Sequence, residues 1–112
     1  MKGRADCTVS ALANVAGITY ELAEAIAADA GRVSSRRFKS STLIDAAKEA
    51  GFAFRKLRFG GKTLARFIRL HPEGRFYVRK RGHALAVVDG VPSDSTPTGC
   101  ILLDAWQLIK AD

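Results

Sequence analysis

The sequence predicts one α+β domain, in which N-terminal helices pack on a C-terminal, mostly antiparallel sheet. Up to residue 51, apolar side chains recur at helical spacing, in segments that end at glycines. From residue 52 onward, short alternating segments follow one another with turn residues between them, as in antiparallel strands. Helices followed by strands indicate an α+β arrangement. A length of 112 residues suits a single domain, 1–112.

Three helices are expected in the first half of the chain. Asp6 can cap a helix that begins at Cys7, because its carboxylate accepts hydrogen bonds from the free N–H groups of the first turn. Thr19 can cap a second helix, and Ser40 or Ser41 opens a third. The glycines that end these helices are Gly17, Gly31 and Gly51, and the expected core-facing residues are Val9, Leu12, Ala13 and Ala16, then Leu22, Ala25 and Ile26, then Leu43, Ile44 and Ala47.

The second half is expected to form strands around one short helix. A two-residue Asp-Gly turn at 89–90 predicts a hairpin, since glycine tolerates the positive φ that such turns need. The strand before this turn is expected to be central and covered on both sides, with His83, Leu85 and Val87 on one face and Ala84, Ala86 and Val88 on the other. The expected order is a strand over 52–59, a helix over 63–70, and strands over 75–79, 82–88, 91–94 and 100–109.

Composition and charge narrow the classes of partner. The chain carries a formal net charge of +7, but its basic residues are scattered, which is more typical of a solvated surface than of a nucleic-acid interface. No apolar run approaches the roughly 18–20 residues of a membrane span, so no membrane partner is expected. The first six residues lack the apolar core of a signal peptide, which predicts a cytoplasmic protein with both cysteines as thiols.

Cys7 is the candidate nucleophile. A thiol at the start of a helix meets the positive end of the helix dipole, which favours the thiolate, the reactive form. The alternative is a small buried apolar side chain, which is how a free cysteine commonly packs. Cys100 precedes the apolar residues 101–103 and is expected in the core.

His83 is the candidate base for Cys7, because a neutral imidazole nitrogen can accept the thiol proton. A base needs a group that holds its second nitrogen. With a two-residue turn between the strands, Asp94 is the diagonal neighbour of His83 on the same face, about 7–8 Å away between Cα atoms. Asp104 on the last strand is the alternative. His71 precedes a proline in a turn and is expected in solvent.

Two other chemistries are not favoured by the sequence. The run GGKT at 60–63 resembles the end of a phosphate-binding loop, but the first glycine of that motif would fall on Lys56. The two cysteines and two histidines lack the close paired spacing of a zinc site. We therefore expect neither a metal nor another cofactor.

The run DCTVSALA at 6–13 resembles the cysteine-bearing first helix of papain-like cysteine peptidases. It is similar in particular to the bacteriocin-processing (double-glycine leader) type, where an Asp-Cys-Gly-x-x-x-Leu run opens the catalytic helix. The run GHALAVV at 82–88 is similar to the Gly-His strand of that group, and the order Cys, His, Asp is also the same. Nearly the whole chain also resembles small proteins encoded by tailed bacteriophages.

The resemblance implies a papain-like fold and a thiol hydrolase that acts on a peptide or isopeptide bond. Cys7 would attack the carbonyl, His83 would transfer the proton, and Asp94 would hold the imidazole. The substrate would be a peptide or protein, such as a host protein if a phage encodes the chain. In the family, a Gln about six residues before the cysteine completes the oxyanion hole; here that position is Met1, and Thr8 replaces the usual Gly.

Two further functions stay open at this point. The same fold, with its chemistry weak or lost, could bind and inhibit a host protein through its basic surface. The arginine clusters could instead bind nucleic acid, whose phosphates attract a chain of net positive charge.

Overall fold

In the part of the chain that the structure describes, three helices precede the first strand, in agreement with the expected α+β class. The computed structural model describes residues 6–29, 40–58 and 62–111. None of the helices in these ranges is long and apolar enough to cross a membrane. The elements are α1 (Asp6–Ala16), α2 (Tyr20–Asp29), α3 (Ser40–Glu49), β1 (Phe52–Leu57), β2 (Lys62–Thr63), α4 (Leu64–Leu70), β3 (Arg75–Lys80), β4 (His83–Val88), β5 (Val91–Pro92) and β6 (Ile101–Ala111).

The six strands in the described ranges form one antiparallel sheet, in the order β1-β6-β3-β4-β5, with the short β2 also paired to β6. Both faces of β4 are buried, as expected. Ala84 and Ala86 belong to the core between the sheet and α1 to α3. Leu85 and Val87 belong to a second core, which α4 covers with Leu64 and other apolar residues. The strand that begins with His83 is therefore held from both sides.

Helix α1 lies on the sheet and packs mainly against β4. The two alanines of β4 leave room for the helix to approach the strand closely. Arg75, at the start of β3, caps the C-terminal end of α1. Its Nε donates to Val15 O at 2.6 Å, and its Nη2 donates to Asn14 O at 3.1 Å. Carbonyls in the last turn of a helix lack helical partners, and these bonds satisfy two of them.

Helix α2 differs from the sequence prediction in the face that it buries. Thr19 caps it as expected, since its Oγ1 accepts a hydrogen bond from Leu22 N at 3.1 Å. The expected apolar face was wrong, however, in two of its three positions: Leu22 is 48% exposed and Ala25 is exposed. The residues buried instead are Ala23, Ile26 and Ala27. These three residues belong to the core between the helices and the sheet, where α2 contacts α1 and α3, so the face turned toward those helices is the buried one.

Strand β3 also differs, because both of its faces are covered. We expected a half-exposed strand with Phe76 and Val78 inward, and these are buried, but Tyr77 between them is fully buried as well. The helices on the opposite face of the sheet cover it. His71 was expected in solvent, but it is half-buried, with its ring centroid 4.7 Å from that of Phe67 and 5.2 Å from that of Phe76.

The remaining differences concern the ends of elements. Helix α1 is described from Asp6, one residue before the expected start, within the usual variation of helix ends. Strand β5 stops at Pro92 rather than extending to Asp94. Strand β6 begins at Ile101, so the half-buried Cys100 precedes it and packs at the edge of the core under α4. Predictions for Gly31, the loop at 32–39 and the glycines at 60–61 lie outside the described residues.

Candidate functional site

The turn between β4 and β5 sets the register of the candidate site. Asp89 and Gly90 have φ values of 50° and 81°, so both central residues are left-handed, as in a type I′ turn. Val88 accordingly pairs with Val91, as the expected two-residue turn requires. Asp89 also anchors the turn, because its carboxylate Oδ1 accepts a hydrogen bond from Gly74 N at 3.0 Å. The hairpin is thus fixed to the neighbouring turn that precedes β3.

Beyond the last ladder pair, a serine side chain extends the hairpin. Ser93 N donates to Ala86 O at 2.8 Å, and Ala86 N donates to Ser93 Oγ at 3.0 Å. The hydroxyl therefore takes the place of a backbone carbonyl and holds the chain against β4. Asp94 follows directly and lies on the His83 side of the hairpin.

The imidazole of His83 and the carboxylate of Asp94 are hydrogen-bonded. His83 Nε2 lies 2.7 Å from Asp94 Oδ2, with side-chain exposures of 32% and 36%. An ionised carboxylate only accepts hydrogen bonds, so Nε2 is the donor and Nδ1 is the acceptor nitrogen of the neutral ring. Within the described ranges, no hydrogen bond reaches Nδ1. The basic nitrogen is thus left available to a further group.

The second oxygen of the Asp94 carboxylate is also held. Its Oδ1 accepts hydrogen bonds from Thr96 N at 2.9 Å and from Thr96 Oγ1 at 2.5 Å. Partial burial alone would raise the pKa of Asp94, but the hydrogen bonds from Thr96 and His83 outweigh it, and the pKa is lowered. Asp94 is therefore an ionised and well-oriented partner for the imidazole at neutral pH.

Cys7 lies in the first turn of α1 and is half-buried. It packs against the core that contains Ala84, the residue after His83. No hydrogen bond joins Cys7 Sγ to His83 among the residues that the structure describes. The structure therefore brings His83 and Asp94 into contact and brings Cys7 to the core beside β4, without a thiol–imidazole hydrogen bond.

Asp104, the alternative partner of His83, is engaged elsewhere. Arg79 Nε donates to its Oδ2 at 2.9 Å, and Lys56 Nζ lies 3.3 Å from its Oδ1. Partial burial would raise the pKa of Asp104, but the hydrogen bonds from Arg79 and Lys56 outweigh this and lower it. Of the two carboxylates left open by the sequence, Asp94 is the one bonded to His83.

Sequence reasoning missed the polar groups that support the site. Thr96 was not singled out, although an Asp followed two residues later by a Thr is a recognisable local hydrogen-bonding pattern. The buried pair Ser40 and Tyr77, whose hydroxyls lie 2.9 Å apart, joins residues far apart in the chain and left no local signal. Burial raises the pKa of the Tyr77 phenol above its usual range, so this hydroxyl stays protonated.

Comparison with known proteins found no match. No protein-family model matches the chain, and neither a curated protein nor a solved structure shows significant similarity to it.

Proposed function

We propose that this protein is a papain-like cysteine hydrolase that cleaves a peptide or isopeptide bond. Cys7 is the nucleophile, His83 the general base and acid, and Asp94 the group that orients His83. The observation that carries the proposal is the hydrogen bond from His83 Nε2 to Asp94 Oδ2, at 2.7 Å. This bond leaves Nδ1 as the acceptor nitrogen of the neutral ring, which is the arrangement that a general base needs.

The proposed reaction has two halves, which are acylation of Cys7 and hydrolysis of the resulting thioester. His83 Nδ1 accepts the proton of the Cys7 thiol, and Sγ attacks the carbonyl carbon. The bond to the leaving amine breaks, the imidazolium returns its proton to that amine, and a thioester remains on Cys7. Water then attacks the thioester with His83 again as base, which releases the acid and restores the thiol. The Asp94 carboxylate stabilises the imidazolium in both halves.

The first turn of α1 also supports the proposal. Backbone N–H groups in the first turn of a helix can donate to a developing oxyanion, and Cys7 lies in the first turn of α1. A hydrogen bond between Cys7 and His83 is not needed before substrate binds, because catalytic contacts are often long in the free enzyme. Because the chain resembles phage proteins, we further propose that the enzyme acts on a protein in the cytoplasm of an infected bacterial cell.

Alkylation of the two cysteines tests the proposal. Cys7 and Cys100 are both half-buried, so they form an internal comparison at similar exposure. We expect iodoacetamide at neutral pH to modify Cys7 faster than Cys100, as resolved by peptide mass spectrometry. His83→Ala should slow modification of Cys7, whereas His71→Ala, which removes the other histidine, should not. Equal rates at the two cysteines, or a Cys7 rate that His83→Ala leaves unchanged, would rule out the thiol–imidazole pair.

The second candidate function is a non-catalytic module that binds and inhibits a host protein. It is favoured by the lack of a hydrogen bond between Cys7 Sγ and His83 in the described structure. A stable complex with a cellular protein that survives Cys7→Ser, together with an unreactive Cys7, would support this function over hydrolysis.

A further inference from the structure

Three cationic side chains surround an open depression next to α4. Its volume is about 430 Å³, and its lining residues are Lys62, Thr63, Arg66 and Arg69. Among the residues that the structure describes, no ion pair joins any of these three cations to a carboxylate. In contrast, Arg79 is paired with Asp104. The cations of the depression are therefore free to meet a partner.

The local fold explains why the three cations point the same way. Arg66 and Arg69 are three residues apart in α4, which places them on one side of the helix, and Lys62 lies in β2 directly before it. Thr63 caps α4, because its Oγ1 accepts a hydrogen bond from Arg66 N at 3.1 Å. Leu64 and its neighbours on the other side of α4 are buried against the sheet, which leaves the arginines outward. Like charges at this spacing repel one another, so the arrangement lacks a stabilising role of its own.

Two exposed aliphatic side chains belong to the elements that form the depression. Ile101, which pairs with Thr63 across β2 and β6, is 49% exposed, and Leu70 at the end of α4 is 53% exposed. None of the described residues that line the depression is aromatic, so these residues offer no stacking surface for nucleic-acid bases. Cations beside exposed aliphatic side chains match a polypeptide that carries both carboxylates and apolar groups.

We propose that this depression is a docking site for an acidic polypeptide segment that also carries aliphatic residues. Carboxylates of the segment pair with Arg66, Arg69 and Lys62, and an aliphatic side chain packs against Ile101. The loop after Asp94 is hydrogen-bonded to the first turn of α4, next to the depression. Ala65 N donates to Thr98 O at 2.9 Å, and Leu64 N donates to Cys100 O at 3.0 Å. The proposal is carried by these surface charges and does not depend on catalysis by Cys7.

A binding measurement with defined peptides tests this proposal. The probe is a short fluorescent peptide of Glu and Leu residues, and its control replaces each Glu by Gln. We expect the Glu peptide to bind and the Gln peptide to bind roughly tenfold or more weakly, since several surface ion pairs are lost. Affinity for the Glu peptide should fall between about 50 and about 300 mM salt, because exposed charges are screened.

Charge-reversed variants locate the site. R66E/R69E should weaken binding of the Glu peptide roughly tenfold or more, since two attractive pairs become repulsive. K48E/R81E makes the same change of net charge at exposed residues elsewhere and should leave the affinity within about twofold. R66Q/R69Q provides a milder test, with folding of each variant checked by circular dichroism.

Three outcomes would overturn the proposal. The first is no binding of the Glu peptide by the native protein. The second is an equal loss of affinity in K48E/R81E, which would mean that only net charge matters. The third is tighter binding of a DNA or RNA oligonucleotide than of the peptide, lost in R66E/R69E, which would assign the depression to nucleic acid.

Discussion

Asp94 reaches His83 from a position two residues beyond the last ladder pair of the hairpin. Strand β5 ends at Pro92, yet Asp94 Oδ2 lies 2.7 Å from His83 Nε2. Ser93 fixes the backbone against β4, and Thr96 holds the other carboxylate oxygen. The contact therefore depends on two hydroxyl side chains as much as on the sheet.

Replacing Asp94 by Asn tests the orienting role that we propose for it. Asn keeps the shape and can still accept a hydrogen bond, but it cannot stabilise an imidazolium by charge. A charge-assisted hydrogen bond is about twice as strong as a neutral one, so we expect the Cys7 alkylation rate to fall roughly tenfold. Asp104→Asn is the matched control, because Asp104 bonds Arg79, and it should leave the rate near that of the native protein. A slower rate in both variants would point to general destabilisation.

The two carboxylates with lowered pKa values predict loss of stability in acid. The pKa values of Asp94 and Asp104 both lie below the usual 3.8. Each ionised carboxylate therefore stabilises the fold fully at pH values above the usual pKa of 3.8. This contribution to the free energy of unfolding disappears as the pH falls through the lower pKa of the folded state. We expect urea unfolding to show a free energy that decreases as the pH falls below about 4. The D94N/D104N variant should lose less stability over the same range; an equally steep decrease would assign the effect to other groups.

The buried hydroxyl pair predicts a measurable cost for removing one member. Tyr77→Phe leaves Ser40 Oγ buried without its partner, so we expect the free energy of unfolding to fall by about 1–2 kcal/mol. Y77F/S40A removes both polar groups and should recover part of that loss. Urea denaturation of the native protein, Y77F, S40A and Y77F/S40A measures the coupling free energy between the two hydroxyls. Additive losses would show that the two hydroxyls do not stabilise each other.

The left-handed turn predicts a position-specific glycine requirement. Gly90 has a φ of 81°, and a Cβ there would lie 3.4 Å from Pro72 O. We expect Gly90→Ala to lower the free energy of unfolding by about 1–2 kcal/mol, because L residues are strained in this conformation. Gly99→Ala is the control, since no atom lies within 4 Å of its Cβ position, and its effect should stay within about 0.5 kcal/mol. Similar losses in both variants would contradict the turn geometry as the cause.

Local patterns predicted the order of elements and the hairpin with its two-residue turn. The cap of α2 and the turn at 89–90 each depend on a few adjacent residues, so they can be read from the sequence, whereas Thr63 was expected inside α4 and caps it instead. The buried face of α2 could not be predicted in this way, because it depends on which side of the helix meets α1. Burial of Tyr77 likewise follows from helices packed on that side of the sheet.

The candidate site divides in the same way. The approach of Asp94 to His83 followed from turn type and strand alternation, both of which are local rules. The surroundings of Cys7 depend on how α1 lies on the sheet, which spacing along the chain does not specify. The three cations of the depression could be identified in the sequence. Their grouping could not be predicted, because it depends on the cap at Thr63 and on which side of α4 is buried.

The hairpin geometry has a consequence for how chains of this kind can vary. A strand alternates sides at every residue, so one insertion or deletion between His83 and Asp94 would carry the carboxylate to the opposite side of the sheet. The spacing of 11 positions between them is therefore constrained by geometry. Length changes after Thr96 would leave the contact between His83 and Asp94 in place, so we expect variation in the length of this loop among homologous chains to concentrate there.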